Sequence, residues 1–402
     1  MIVMHETPFE KAKPIIKTIL GHGYEAYFVG GCVRDFLLNR PIGDIDITTS
    51  ATPEVIMEIF PKVIPVGIDH GTVIVRYQHE SYEVTTFRLD GKYSDYRHPD
   101  SVTFISNIEE DLKRRDFTIN AMAMDIDGNI IDLFGGQEDL SNRQIRTVGC
   151  GYDRFLEDPL RILRAIRFSS QLGFSIENNT LDAIQRVKDK MTNIAVERIA
   201  KELEKTFAGT ENYKGIHYLI QTGVQDYLPL FSRYPSMLQQ VTKGIRPLVT
   251  LSETVAYLHL LQPDIAIRTF IDEWKCSNTT RREAMMIADA YHHFKENGID
   301  EWIAYQLPPS LYEGFIHVLN SIEGSSAEAA ELYRLYEKLP IQERKDLAVD
   351  GKDILDIFPQ RKKGPWIKEL LNNIEKMVVF GQLENNKEQI KEWIRCHPPE
   401  IN

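Results

Sequence analysis

An α+β N-terminal region followed by an all-α remainder is the fold class the sequence predicts, and three observations predict it. Short runs rich in β-branched and aromatic residues (Tyr24–Val29, Gly43–Ile47, Thr72–Tyr77 and Tyr82–Phe87) all fall before about residue 150. From Tyr152 on, apolar residues recur at helical spacing, as in Leu248–His259 and Arg281–Lys295. Gly, Pro and Asn breaks separate those helices, with no regular repeat and no low-complexity segment. The expected division is a head over 1–150, a helical neck over 151–210, a helical body over 211–330 and a helical tail over 331–402.

The 402 residues, 43% hydrophobic and 26% charged, are ordinary for a globular protein with a sizeable core. Met1–Lys17 lacks the apolar core of a signal peptide, and no run approaches the roughly 18 apolar residues of a membrane span. Cys32, Cys150, Cys276 and Cys396 lie far apart, without a C-x-x-C, which argues against a zinc ribbon or a disulfide framework. A cytoplasmic setting is expected. The net charge of −12 means that any nucleic-acid partner must meet basic residues gathered on one face.

In the head, Pro8–Leu20 reads as a helix with Phe9, Ile15, Ile16 and Ile19 as its apolar stripe. Strand Tyr24–Val29 runs into Gly30-Gly31 and a helix from Cys32 to Leu38, a plausible cradle for phosphate at bared backbone N–H groups. Arg34 on the first turn can add a charge-assisted contact. About ten residues on stands Gly43-Asp44-Ile45-Asp46-Ile47. Alternation along a strand sends Asp44 and Asp46 to one face, roughly 7 Å apart at Cα, and Ile45 and Ile47 into a core. Two such carboxylates suit a hard cation, magnesium above all. Taken alone, Asp-x-Asp is more often a solvated edge; the Gly-Gly cradle beside it reverses that weighting.

Pro53–Phe60 reads as a short helix, and Thr72–Tyr77 with Tyr82–Phe87 as a hairpin. Asp90–Asp100, polar and aromatic, reads as a mobile surface loop, either a passive connection or a lid. Arg114-Arg115-Asp116 then enters the apolar Phe117–Met124. On its own the pair is a solvated helix end; beside the earlier elements, Arg115 is favoured as a group presented to a phosphate or a base.

Gly30-Gly31-x-x-Arg34-Asp35, Gly43-Asp44-x-Asp46 and Arg114-Arg115-Asp116 together resemble the head of nucleotidyltransferases related to DNA polymerase β. More narrowly they are similar to class II tRNA nucleotidyltransferases, the CCA-adding enzymes, and their bacterial poly(A) polymerase relatives. The resemblance implies a small mixed sheet flanked by helices. It also implies Asp44 and Asp46 as catalytic magnesium ligands, and Gly31 and Arg34 in contact with the nucleotide.

In the neck, Asp158 before Pro159 looks like a helix N-cap with proline at the first helical position. Leu160, Ile162, Leu163 and Ile166 are left to pack inward. Arg161, Arg164 and Arg167 recur every third residue and so form a curved basic wall. A carboxylate accepts where a guanidinium donates. One Asp–Arg pair therefore matches the amino donor and ring acceptor of both cytosine and adenine, and sets two acceptors against each other at uracil or guanine. Glu157-Asp158-x-x-Arg161 matches the family's base-recognition motif, which implies that Asp158 and Arg161 read the base while Arg164 and Arg167 support the nucleotide. Glu197-Arg198-Ile-x-x-Glu202 resembles a later family element that braces this helix.

The His292-His293 pair lacks an H-x-x-x-H-D surround, so no metal-dependent phosphohydrolase module is expected. Arg361-Lys362-Lys363-Gly364-Pro365-Trp366 is a solvated loop or a track for RNA phosphates. The resemblance implies template-independent addition of CMP, CMP and AMP to the 3′ end of tRNA from CTP and ATP, and a homodimer. Addition of A alone, of CC alone, poly(A) synthesis and a silent RNA-binding protein are the alternatives. The full length of the Asp90–Asp100 loop speaks against CC alone, the missing basic C-terminal extension against poly(A) synthesis, and the intact acid pair against silence.

Overall fold

The computed structural model describes residues 8–91, 93 and 100–398. Contacts divide the chain into two compact units at Gln239/Gln240. The head and neck ranges fall in the first unit, the tail in the second, and the body range spans the division.

The head is a mixed sheet with flanking helices. Strands β1 (Ala26–Val29), β2 (Asp46–Thr49), β3 (Val63–Gly67), β4 (Thr72–Tyr77) and β5 (Glu80–Thr86) come first in the chain. β6 (Arg88–Asp90) and β7 (Val102–Phe104) pair with each other as a separate ribbon. β8 (Met122–Met124) and β9 (Ile130–Asp132) complete a seven-stranded sheet of order β3-β4-β5-β2-β1-β8-β9. β2 and β5 run parallel, whereas the other pairs in this sheet are antiparallel. Helices α1 (Pro8–Gly21), α2 (Gly31–Leu37), α3 (Pro53–Ile59), α4 (Ile108–Lys113) and α5 (Gly136–Ser141) flank it.

α1 buries the expected stripe of Phe9, Ile15, Ile16 and Ile19, and Phe9 meets Phe28 of β1 edge-on at 4.8 Å. Each such buried side chain contributes at most about 1.5–3 kcal/mol of transfer free energy. The hairpin forms as β4–β5. Besides the β6–β7 ribbon, three strands of the seven-stranded sheet have no sequence signal strong enough to predict them. β3 is an edge strand interrupted by Pro65, β8 is buried on both faces and shows no alternation, and β9 spans three residues. Of the expected loop Asp90–Asp100, Lys92 and residues 94–99 lie outside the described residues.

The neck follows as α6 (Gly151–Glu157), α7 (Leu160–Leu172), α8 (Asn178–Val187), α9 (Val196–Phe207) and α10 (Asn212–Thr222). In α7, Leu160, Ile162, Leu163 and Ile166 are buried as their spacing requires, and Gly173 closes the helix in the left-handed region at φ 69°. α7 packs against α9 and α10.

The second unit holds α11 (Leu251–Leu261), α12 (Ile267–Trp274), α13 (Asn278–Asn297), α14 (Glu301–Gln306) and α15 (Tyr312–Glu323). It continues through α16 (Ala329–Tyr336), α17 (Gly351–Ile357), α18 (Pro365–Val379) and α19 (Lys387–Cys396). His293 is engaged with Asp300, the N-cap of α14, at 2.7 Å. Ile354, Leu370, Ile374, Val378, Ile390 and Ile394 form a tail core. Beside it the buried Glu375 accepts from Arg344 and Tyr305. Arg361 lies over Phe358 and Trp366, at 5.4 and 5.5 Å. No helix among the described residues is long and apolar enough to cross a membrane.

Candidate active site

Alternation sets up the acid edge, the end of the sheet at which the central strand β1 stops and its neighbour β2 starts. Asp44 is exposed, Ile45 buried, Asp46 half-buried and Ile47 buried. One detail of the expectation is corrected: β2 begins at Asp46, and Asp44 occupies the bend before it, because strand pairing starts at Asp46 towards β5 and at Ile47 towards β1. Parallel pairing places Glu83 of β5 beside Asp46, and Val84 beside Ile47. Glu83 is exposed on the face that Asp46 shares. From the sequence it looked like nothing more than the polar side of a hairpin.

These carboxylates crowd one another. Burial, then Glu83, then Asp44 push the Asp46 carboxyl up to about 6, against the opposing pull of Arg115. Among the described residues, no set of three His, Cys, Asp or Glu side chains stands ready to hold a metal ion. What the chain offers is an oxygen-only pair with too little positive charge nearby, a donor set suited to a hard divalent cation.

Gly30 joins β1 to α2 with φ 77°, a conformation that favours glycine. A β-carbon there would lie 3.4 Å from Arg115 Nη1 and 3.9 Å from Asp46 Oδ2, so the bare turn, the guanidinium and the acid converge. At Gly31 a β-carbon would sit 3.7 Å from Arg34 Nη2. Arg115 donates from Nη2 to the fully buried Asp111 at 3.2 Å. Its Nε is buried without a hydrogen-bond partner among the described residues. Arg34 forks onto Asp35 at 2.9 and 3.0 Å and donates from Nη1 to Asn120 Oδ1 at 2.7 Å.

On the neck side the basic residues are already paired. Arg161 donates to Glu157 at 2.5 Å and to the Arg154 carbonyl at 3.1 Å. Arg164 holds Asp116, and Arg167, 8% exposed, holds Glu202 at 2.7 Å. The expected basic wall is therefore corrected to a row of ion pairs, because burial against α9 and the head demands counter-charges. The Asp158 and Arg161 side chains are not joined to each other; the Arg161 N–H donates to the Asp158 carbonyl at 3.0 Å. Asp158 accepts from the Leu160 N–H at 3.0 Å, as a capping residue does, and from Arg198 at 2.9 Å. α7 proper starts at Leu160, one residue later than expected. Arg198 and Glu202 of α9 thus brace the start and the middle of α7, as the later motif led us to expect.

Two further groups escaped the sequence reading. Arg154 locks Glu157 at 2.9 and 3.0 Å and reaches the Lys113 carbonyl at 2.8 Å. Tyr93 donates to Asp90 at 2.7 Å. Burial and Asp90 push its hydroxyl upward, with Arg161 and Glu157 close enough to be felt. Both carboxylate partners lie three residues away in the chain, a spacing too common on its own to mark either residue as part of a site.

Residues 26–146 match the Poly A polymerase head domain family. Residues 173–234 match the family described as a probable RNA and SrmB-binding site of polymerase A, and residues 252–394 the putative second domain of tRNA nucleotidyltransferases. The CCA-adding enzyme of Oceanobacillus iheyensis is 49% identical over 99% of this chain and 100% of its own length. That of Bacillus cytotoxicus is 43% identical over 96% and 98%. The crystal structure of the Bacillus stearothermophilus CCA-adding enzyme in complex with CTP superposes with a TM-score of 0.85 at 40% identity, covering 97% of this chain and 98% of that one. A head sheet with an acid edge, a braced helix beside it and likeness along the full length lead to one conclusion: the chain belongs to the CCA-adding enzyme family of class II tRNA nucleotidyltransferases.

Proposed function

We propose that this protein adds CMP, CMP and AMP in turn to the 3′ end of tRNA, from CTP and ATP, without a template and with release of pyrophosphate. The observation that carries the reading is the convergence of Asp46, Arg115 and Gly30 at one end of the sheet's central strands, β1 and β2.

Asp44 and Asp46 would hold magnesium, with Glu83 adding to the negative field one strand away. When bound, the metal would acidify the terminal hydroxyl of the tRNA and neutralise charge on the departing pyrophosphate. The chain's own groups do the positioning. Arg34 and Arg115 meet the phosphates, and the small turn at Gly30-Gly31 leaves room for them beside the acids. Asp158 and Arg161 select the base by its donor–acceptor edge, each exchanging a present partner, Arg198 or Glu157, for the base. Arg164 anchors α7 to the head through Asp116, and Arg167 braces it through Glu202. Alignment and charge stabilisation suffice for nucleotidyl transfer, and no protein nucleophile is required.

The second unit would grip tRNA by shape and backbone, with Arg361, Lys362 and Lys363 among the contacts. A cytoplasmic site of action and a homodimer belong to the same reading; sedimentation velocity tests the latter. The central experiment is extension of tRNA lacking its 3′ end, with magnesium and CTP and ATP singly or together. Three added residues with both nucleotides support the proposal. A single A on tRNA ending in CC, without C incorporation, replaces it with A-addition, and CC without A with CC-addition. A long A tail favours poly(A) synthesis, and no extension favours a silent RNA-binding protein.

A further inference from the structure

Asn120 lies in a single turn of 3-10 helix, Thr118–Asn120, inside an apolar stretch where an amide is out of place. It is 8% exposed. Its side chain touches two charged groups that belong to different parts of the site. Oδ1 accepts from Arg34 Nη1 at 2.7 Å, and Nδ2 donates to Asp116 Oδ1 at 3.3 Å. The orientation of the amide is fixed by its neighbours, since a guanidinium only donates and an ionised carboxylate only accepts. Asp116 in turn takes Arg164 of α7 on its other oxygen, at 2.8 and 2.5 Å, and the Phe117 N–H on the first, at 2.8 Å. The result is one line of bonds, Arg34–Asn120–Asp116–Arg164.

The same line closes on an aromatic ring. The guanidinium carbons of Arg34 and Arg164 lie 5.2 and 5.8 Å from the ring centre of Phe168, and Phe117 meets that ring edge-on at 5.7 Å. Arg34 is thus held by Asp35, by Asn120 and by the ring. Asp35 is its immediate chain neighbour and ring contact is weakly directional, so among the described residues the Asn120 bond is the directional tie from the guanidinium to a distant part of the chain. Aspartate at position 120 would repel Asp116, and an aliphatic side chain would leave both charged neighbours a bond short.

Building on the proposed nucleotidyl transfer, we propose that Asn120 is a positioning residue that aims Arg34 at the phosphates of the incoming nucleotide and ties it to the Asp116–Arg164 pair on the neck helix. Asn120 touches no substrate. It acts through Arg34, so its contribution belongs to the phosphates and not to the base.

The test compares binding of CTP and CMP to the full chain by calorimetry, with magnesium and without tRNA, so that no turnover occurs. Wild type, Asn120→Ala, Arg34→Ala and the double variant are measured. Asn120→Ala should weaken CTP about tenfold and leave CMP within about twofold. The double variant should bind CTP no worse than Arg34→Ala alone. Asn120→Gln, which misplaces the same amide by one methylene, should reproduce the pattern and serves if the alanine variant does not fold. Equal weakening of CTP and CMP, or additive losses in the double variant, would overturn the inference and leave the proposed function standing. If Arg34→Ala itself spares CTP, the reading beneath the inference falls with it.

Discussion

The acid edge of the head and the first two turns of α7 are both dense in charge, and they balance it differently. At the edge, Asp46 is raised to about 6 by burial and by its acidic neighbours, with Arg115 opposing. On α7 each guanidinium has its carboxylate: Arg161 has Glu157, Arg164 has Asp116 and Arg167 has Glu202. The edge, in the proposed function, takes the positive charge it lacks from a cation. The helix is balanced already, so under the proposed function a base would compete for Asp158 and Arg161 with the partners they hold now. In this reading metal binding is driven by unmet charge, and base selection by exchange of one bonded state for another.

The sharpest way to break this contrast is Asp46→Ala. Removing an acid from the edge takes away half of the donor pair, and extension should fall by at least about 10³-fold. Filter binding of tRNA should stay near wild type. Loss of tRNA binding in parallel would show that the acids serve the fold and not the chemistry.

On the helix side the largest effect is on stability. Glu202→Gln leaves Arg167 buried without its bonded counter-charge, with the Asp116 carboxylate still felt, and unfolding in urea should show a loss of about 3 kcal/mol. A change below about 0.5 kcal/mol would mean that water already satisfies Arg167 and that the row of ion pairs is not what holds α7.

Asp116 gives the contrast a pH signature. Burial alone would raise its carboxyl, but the charge and hydrogen bonds of Arg164, with Arg161 behind, hold it near 2, below its ordinary 3.8. A carboxyl depressed in the fold contributes stability above its unfolded value and loses it as pH falls. The contribution, about 2 kcal/mol, should therefore be complete above about pH 4 and fade between 4 and 2. Unfolding free energies of wild type and Asp116→Asn should converge across that window. Parallel curves would show that the Asp116–Arg164 pair adds no acid-sensitive stability.

How much of this was legible beforehand follows from what local pattern can carry. The stripe of α1, the β4–β5 hairpin, the inward face of α7 and the alternation around Ile45 and Ile47 are periodicities, and they were readable. Glu83 matters through the register of two strands whose partners lie 37 residues apart, Asp46 opposite Glu83, and no local pattern reports a register. The same holds for Arg164 with Asp116 and Arg198 with Asp158, separated by 48 and 40 positions. Arg161, Arg164 and Arg167 looked like a basic wall because only one side of each pair falls in that helix. β8 stayed hidden because a strand buried on both faces has no alternation to show.

Asp158 is where the two halves of the contrast meet, and its removal should have the smallest effect of the four. The carboxylate caps the N–H of Leu160 and holds Arg198, so Asp158→Ala should cost about 1 kcal/mol of stability, as loss of a cap does. If the residue also reads the base, CTP should lose about tenfold of its preference over UTP in kcat/KM, because the amino group of cytosine loses its acceptor while uracil loses only a repulsion. Arg198→Leu separates the two roles. It frees one carboxylate oxygen of Asp158 without disturbing the cap, so selection by exchange predicts that CTP binds at least as tightly as in wild type. A lower melting temperature with unchanged nucleotide preference in Asp158→Ala would make the residue a cap alone, and base selection would then have to rest on Arg161 and Glu157.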